Sequence, residues 1–300
     1  MTDTLSTIEI VPAGDAAPPL SAWDRVKLAR HPERPHTLDY LSELTRDFVE
    51  LHGDRSFGDD RALIGGLACF SGRTVLVLGH QKGGDTRENL ARNFGMARPE
   101  GYRKAERLMR HAEKFGFPVV TFIDTSGAEP GIGSEERGQS TAIAESLLTM
   151  ANLRVPIVAV VIGEGGSGGA LAVGVADRIL MLENAIYAVA SPEGCAAILW
   201  KDASRAPEAA ETMRITAADL AGFGIVDEVV PERSPANERP RDAIKAVGEA
   251  VARHLDDLEH LFPPSDPDAA HRLRDARYEK FRRIGAWRDD ASRLDGLIDG

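Results

Sequence analysis

The chain has 300 residues, of which 43% are hydrophobic and 28% charged, and its formal net charge is −11. These proportions are typical of a soluble globular protein, and the acidic balance argues against general nucleic-acid binding, which requires a basic surface. No apolar stretch reaches the roughly 20 residues of a membrane span. Cys69 and Cys195 are the only cysteines, so this chain alone cannot form a four-cysteine zinc site.

Residues 1–20 are rich in Ala, Pro, Asp and Thr, a composition that predicts a disordered tail. The segment has neither the basic start nor the apolar core of a signal peptide. Together with the two isolated cysteines, this pattern predicts a cytoplasmic protein.

Helical patterns occupy residues 21–53. We expect Ser21 to cap a first helix that stops near Pro35, and Thr37 to cap a second helix that ends at Gly53. The second helix has an apolar face at helical spacing, formed by Leu38, Leu41, Leu44 and Phe48.

Strands and helices alternate over residues 60–230, which predicts one α/β domain. A hairpin is expected at 61–80 around Ser71-Gly72. The other predicted strands are 117–124, 157–162, 178–190 and 225–230, and the predicted helices are 99–115, 134–153 and 193–221. Strands 117–124 and 157–162, joined by the helix between them, form a right-handed βαβ unit.

A polar linker at 231–240 leads into a charged tail of helices that breaks at Pro263-Pro264. The predicted organisation is a tail at 1–20, a main domain at 21–232 and a helical extension at 233–300.

Residues 157–170, IVAVVIGEGGSGGA, are the most informative stretch. The β-branched run predicts a strand buried on both faces, and a helix is expected directly after it, at 171–176. Glycines between them permit a sharp turn and a close approach to a ligand, while the helix start offers free N–H groups. This pattern predicts an anion or oxyanion cradle built from backbone, with glycines at Gly163, Gly165, Gly166, Gly168 and Gly169.

A second turn, DTSGAEPGIGSEERGQ, follows the neighbouring strand at 117–123. Turns at the same end of adjacent parallel strands face one crevice. We therefore expect N–H groups near Gly127–Ala128 and Gly168–Ala170 to converge, as the stabilisation of a developing oxyanion requires.

No nucleophile accompanied by a base stands out. Ser167 lies in G-G-S-G-G, which superficially matches a nucleophile elbow, but no Asp/His pairing is evident. Glu164 is a candidate base, although a role in stabilising the turn is favoured. The eight histidines are scattered without metal-ligand spacing. A basic group in an acidic chain is consistent with contact to phosphate or carboxylate, although a solvated surface is favoured for any single member, and the group consists of Lys82, Arg87, Arg92, Arg103 and Lys104.

These motifs resemble the carboxyltransferase alpha-subunit family of the multi-subunit bacterial acetyl-CoA carboxylase. The resemblance covers about residues 22–232, with a weaker match at YEKFRRIGAW, and its longest segments are NFGMARPEGYRKAERLM, FIDTSGAEPGIGSEERGQS, VIGEGGSGGALAVGVADR and SPEGCAAILWKDASRAPEAAE. It implies the crotonase (ClpP-like) fold, an α/β spiral of repeated ββα units, here with helical N- and C-terminal appendages.

The resemblance also implies an activity, which is transfer of carboxyl from carboxybiotin on the biotin carboxyl carrier protein to acetyl-CoA. The product is malonyl-CoA for fatty acid biosynthesis, and the overall reaction, which includes biotin carboxylase, consumes ATP. A zinc-ribbon beta subunit would supply the acetyl-CoA half of a shared active site in an alpha2beta2 assembly. No metal is expected in this chain.

By the same resemblance, N–H groups of Gly168, Gly169 and Ala170 hold the ureido oxygen of biotin, and Gly127 and Ala128 line that pocket. Further expected substrate contacts are Gly131, Gly165, Gly166, Lys82, Ser191 and Gly194. Biotin itself supplies the base that such a site otherwise needs.

Three positions depart from the family pattern: Ser126 replaces Pro, Glu129 replaces Tyr and Gly84 replaces Arg. Two other hypotheses therefore stay open. One is a stand-alone acyl-CoA hydratase or isomerase of the crotonase fold, with Glu129 or Glu164 acting on the substrate. The other is a divergent, non-catalytic interaction subunit.

Overall fold

A computed structural model describes residues 20–285 of the chain. Except for Leu20, the tail predicted at 1–20 lies outside the described residues, as does the end of the predicted C-terminal extension. Strands β1 to β8 are Thr45–Glu50, Leu63–Phe70, Arg73–His80, Val119–Thr125, Ile157–Gly166, Arg178–Leu182, Ile186–Ala188 and Glu228–Val230.

Helices surround these strands, and none of those between Leu20 and Gly285 is long and apolar enough to cross a bilayer. Two short 3-10 turns occur at Asn93–Gly95 and Ala203–Arg205. Helices α1 to α12 are Ala22–Ala29, Thr37–Leu44, Thr86–Ala91, Pro99–Phe115, Ile132–Glu136, Gln139–Asn152, Ser167–Leu171, Pro192–Trp200, Ala206–Met213, Ala217–Gly222, Pro240–Leu261 and Ala269–Arg282.

The strands form one sheet in the order β1-β2-β3-β4-β5-β6-β8, and β7 pairs with β5. Strands β1, β2 and β3 are antiparallel, which confirms the predicted hairpin, and the sheet is parallel from β3 onward. Every residue of β4 and of β5 is buried, as expected for parallel strands covered on both faces. The predicted βαβ unit is confirmed by the parallel pairing of β4 with β5.

The second N-terminal helix is shorter than the sequence predicts. It ends at Leu44, and residues 45–50 form β1, which pairs antiparallel with β2. The prediction that the helix continues to Gly53 is wrong because the free edge of β2 offers the backbone a hydrogen-bonding partner that helical spacing cannot reveal. Phe48 therefore lies on a strand. His36, not Thr37, occupies the N-cap position.

Three other predicted elements are divided, and the one predicted as a helix at 193–221 consists of the separate helices α8, α9 and α10. The helix predicted at 134–153 is two helices, α5 and α6, because Gly138 adopts a left-handed conformation with φ of 79° between them. The strand predicted at 178–190 is β6 and β7. Both pair with β5, whose ten residues leave room for β6 along 158–161 and β7 along 164–166.

The C-terminal helices α11 and α12 belong to the main core, to which they contribute buried apolar side chains. Arg277 of α12 is buried, and its guanidinium donates to Asp177 Oδ2 at 2.7 Å. The same group donates to the carbonyl oxygens of Met150, Leu153 and Val155. One side chain therefore satisfies the C-terminal end of α6 and the carboxylate that follows α7.

We predict that Arg277→Ala lowers the free energy of unfolding by about 3–5 kcal/mol, because it leaves a buried carboxylate and several carbonyl groups without a donor. Urea unfolding followed by circular dichroism measures this change. Arg274→Ala is the matched control, since Arg274 lies on the same helix and its ion pair with Asp275 is on the surface. Its cost should stay below about 1 kcal/mol, and equal costs for the two variants would contradict the assigned role.

Candidate active site

The turns that follow β4 and β5 touch through their backbones. An ideal Cβ on Gly166 would lie 2.2 Å from Ser126 O, and one on Gly169 would lie 2.5 Å from Ala128 N. Thr125 and Gly165 are neighbours across the two strands, which places both turns at one edge of the sheet. The structure therefore brings Gly127 and Ala128 against the turn that contains Gly169.

The sharp turn after β5 falls on a serine. Strand β5 extends through Gly166, so Gly163, Gly165 and Gly166 are strand residues, and Ser167 takes the left-handed φ of 53°. Gly165 packs against the Tyr187 ring, which a Cβ would approach to 2.8 Å. The helix predicted at 171–176 begins earlier, at Ser167, and ends at Leu171. It starts there because no loop residues separate it from the last residue of β5, Gly166.

The start of α7 supplies free backbone donors. No side chain among residues 20–285 caps this helix, and the N–H groups of its first three residues, which include Gly168 and Gly169, have no partner within the helix. Ala170 is the fourth helical residue, where the helical hydrogen-bond ladder begins, and it is fully buried. The N–H groups of Gly168 and Gly169 are therefore left unused by the helix, whereas that of Ala170 takes part in its hydrogen-bond ladder.

The turn after β4 forms a wall of the site and has few free donors of its own. Gly127 donates its N–H to Thr125 Oγ1 at 3.1 Å, and the Thr125 hydroxyl donates to Gly127 O at 2.7 Å. Gly131 donates to Glu129 Oε1 at 3.0 Å, and Glu129 donates its own N–H to Ala97 O. The predicted site residues Gly127 and Gly131 thus use their N–H groups within the turn.

Asp124 is a buried carboxylate directly behind the two turns. Its Oδ1 accepts from Lys82 Nζ at 2.6 Å and from the Glu164 N–H at 3.0 Å, and its Oδ2 lies 3.0 Å from His36 Nδ1. Burial alone would raise the pKa of Asp124, but the Lys82 ammonium and His36 outweigh it and hold that pKa well below its usual range. Lys82, predicted as a substrate contact, is ion-paired with Asp124.

Glu164 is also held in an ion pair. Its Oε1 accepts from Arg30 Nη2 at 2.7 Å, and Arg30 donates to Glu193 Oε1 at the same distance. Glu193 lies in the first turn of α8, where Ser191 Oγ accepts from the Gly194 N–H at 3.1 Å. Arg30 therefore ties the SPEG turn to the end of β5, and Ser191 and Gly194 bond to each other as a helix cap.

The structure does not support the other chemistry that Ser167 and the basic group suggested. Ser167 is exposed, and no side chain within 20–285 forms a hydrogen bond with its hydroxyl. Four members of the predicted basic group pair with acids, which are Asp124 for Lys82, Glu88 for Arg92, Asp54 for Arg103 and Asp59 for Lys104. The described residues contain no cluster of three or more His, Cys, Asp or Glu side chains that could hold a metal ion.

His80 ends β3 close to these charges and is completely buried. Neither of its ring nitrogens has a hydrogen-bond partner among the described residues. Burial lowers the pKa of His80 to about 4, so its imidazole is neutral at neutral pH. The sequence shows that these two histidines exist. It does not predict that His80 is buried or that His36 contacts Asp124.

A cavity of about 690 Å³ opens beside Ser167 and Gly168. Its volume is within the roughly 300–1,000 Å³ range of small-molecule sites. Apolar side chains line most of it, including Leu171 and Val189. The start of α7, at Ser167 and Gly168, is therefore part of the lining of an apolar pocket.

Comparison with known proteins identifies relatives over nearly the whole chain. A family model described as acetyl co-enzyme A carboxylase carboxyltransferase-like matches residues 14–285. The acetyl-coenzyme A carboxylase carboxyl transferase subunit alpha of Aquifex aeolicus is 56% identical over 270 residues, covering 90% of this chain and 81% of the relative. The protein of the same name from Listeria monocytogenes is 55% identical over 269 residues, covering 89% and 82%.

Solved structures with lower sequence identity share the fold. Transcarboxylase 12S, with methylmalonyl-coenzyme A and methylmalonic acid bound, superposes with a TM-score of 0.57 at 22% identity over 73% of this chain. This chain spans 42% of that one. A Pseudomonas malonate decarboxylase hetero-tetramer in complex with coenzyme A gives 0.58 at 19% identity, over 76% of this chain and 92% of that chain. The predicted crotonase-type α/β fold is thereby confirmed.

We predict that Gly169→Ala destabilises the protein by about 1–3 kcal/mol, because its Cβ would force the two turns apart. Gly168→Ala is a matched control one residue away, since its Cβ would meet only Ile143, at 3.8 Å. That change should lie within about 0.5 kcal/mol of the wild type or stabilise the helix slightly. Urea unfolding compares the two, and a similar loss in both would show that the turns are not in tight contact.

A second prediction concerns pH. Since the pKa of His80 is about 4 when folded and about 6.5 when unfolded, only the unfolded chain binds this proton between those values. Stability is therefore lost as pH falls below 6.5, by roughly 3 kcal/mol at pH 4 from His80 alone. His80→Phe should flatten the dependence of unfolding free energy on pH over that window, whereas changing the exposed His271 to Gln should leave it unaltered. A slope unaffected by His80→Phe would contradict the assignment.

Proposed function

The chain belongs to the acetyl-coenzyme A carboxylase carboxyltransferase alpha-subunit family, and from that premise we propose that it transfers carboxyl from biotin on a carrier protein to acetyl-CoA. The observation that carries the proposal is the uncapped start of α7, where Gly168 lines an apolar pocket and the N–H groups of Gly168 and Gly169 have no partner within the helix. Such donors suit an oxygen on which negative charge develops.

Carboxybiotin is a substrate in this proposal, and it supplies both the carboxyl group and, once that group has left, the base for the methyl proton of acetyl-CoA. The N–H groups of Gly168 and Gly169 bind the ureido oxygen. The turn at Gly127 and Ala128 closes the other side of the pocket and excludes water. This chain then needs no free acid or base of its own.

The charged groups near the site support this division of tasks. Glu164 is buried and paired with Arg30, and Asp124 is buried and paired with Lys82. Glu129 accepts a hydrogen bond from its own turn. Two of these three carboxylates are held in ion pairs, and the named relatives are carboxyltransferase subunits, so the hydratase or isomerase hypothesis is disfavoured.

We propose further that the site is completed by a zinc-ribbon beta subunit that carries acetyl-CoA, in an alpha2beta2 assembly in the cytoplasm. Biotin carboxylase would load the carrier protein with carboxyl. Val189, at the cavity mouth, is 82% exposed, and Leu171 beside it is also exposed. Exposed apolar side chains around a binding site are typical of a surface that a partner covers.

The test is to co-express the chain with its cognate beta subunit and to measure malonyl-CoA formation from acetyl-CoA and carboxylated carrier protein. We expect turnover from the complex and none from either subunit alone. Turnover by the isolated chain would contradict the shared site, and an inactive complex would contradict the proposed activity.

Within that assay, Gly169→Ala should lower kcat by about 100-fold, since a displacement near 1 Å of the oxyanion donors has that order of effect. Ser167→Gly is the matched control, because glycine tolerates the left-handed backbone and the change removes only the CH2OH side chain. It should retain at least half of the activity. Inactivity of Ser167→Gly would revive the nucleophile hypothesis.

A further inference from the structure

The apolar cavity beside Gly168 has a wall made by the C-terminal helix. Phe281 and Ile284, in and just after α12, line it together with Leu171 of α7 and Met213 of α9. The cavity is therefore assembled from elements far apart in the chain. Its shape depends on where α12 lies.

Helix α12 is fixed in place by buried polar contacts. Arg277, one turn before Phe281, donates to both carboxylate oxygens of Asp177, at 2.9 and 2.7 Å. Lys280, next to Phe281, pairs with Asp227. These two ion pairs hold Phe281 against the cavity, so its ring is a stable part of the wall.

The lining of the cavity indicates the kind of ligand that fits. Among residues 20–285, Arg214 is its only charged lining residue, and that guanidinium is already paired with Asp219 and lies 5.3 Å from the Phe223 ring centroid. An ionised ligand group would find no free counter-charge inside. Gly168, whose N–H has no partner within its helix, belongs to the lining, so a suitable ligand has one polar end and an uncharged, apolar body.

We propose that α12 is part of the carboxyl-donor site, and that Phe281 and Ile284 form the wall against which the sulfur-containing ring and side-chain methylenes of biotin pack. This inference rests on the proposed function, which places the ureido end of biotin at Gly168 and Gly169. It assigns affinity for biotin to the C-terminal helix, a segment that lies outside the glycine motifs.

The test uses the complex of this chain with its beta subunit, and it runs the transfer in reverse, from malonyl-CoA to biocytin. Phe281→Ala should raise the KM for biocytin by roughly tenfold, since it removes about one side chain of apolar contact. The KM for malonyl-CoA should not change. Phe281→Leu should recover most of the affinity, because it restores apolar volume.

Tyr278→Ala is the matched control, because Tyr278 lies on the same helix but is 60% exposed and does not line the cavity. It should leave both KM values unchanged. Equal KM values for biocytin in Phe281→Ala and Tyr278→Ala would overturn the inference, as would a parallel rise in both KM values of Phe281→Ala. If Phe281→Ala does not fold, Phe281→Leu decides by the same comparison, with a rise of about threefold expected. A wild-type complex without turnover would instead contradict the proposed function.

Discussion

The arrangement of the site depends on one contact, in which the backbone of β5 and α7 touches the backbone that follows β4. A Cβ on Gly166 would lie 2.2 Å from a backbone atom of the facing turn, and one on Gly169 would lie 2.5 Å from another, so no Cβ fits between the two segments. Glycine in a strand costs about 0.5–1 kcal/mol relative to alanine. The complete burial of β4 and β5 offsets that cost, and their parallel pairing brings both turns to the same edge.

Buried charges fix the geometry behind this contact. Asp124 joins Lys82, His36 and the N–H of Glu164, so a single carboxylate links three parts of the chain at the strand ends. Arg34 pairs with Glu232 in the same manner, 198 residues away and almost fully buried. Such pairs add little net stability because both ions lose their hydration, but an unpaired alternative is strongly disfavoured. They specify where the N-terminal helices and the 231–240 segment lie.

The sequence predicts those parts of the fold in which local pattern decides the structure. Helix Pro99–Phe115 has the predicted bounds, because Pro99 and Gly116 mark its ends and its apolar spacing is regular. Strand β1 is missed because its six residues become a strand only through pairing with β2. The glycine motif identifies the location of the site, but which N–H groups stay free depends on contacts such as that of Gly127 with Thr125 Oγ1. Arg277 and Glu232 bind partners that are distant in the chain, and no periodicity of the sequence predicts these contacts.

The hydrogen bonds of the two turns also explain why they differ in the number of free N–H groups they offer. A turn whose N–H groups are bound internally is rigid and can press against its neighbour, whereas a helix start without a cap keeps its donors for a ligand. The first condition describes the segment at Gly127 and the second describes Gly168 and Gly169. A cap on α7 would remove the donors, and a mobile first turn would remove the precision with which they point. Recognition by backbone groups therefore depends on support from the surrounding fold, which includes the ion pairs of Asp124 behind the turns and the position of α12 beside the cavity.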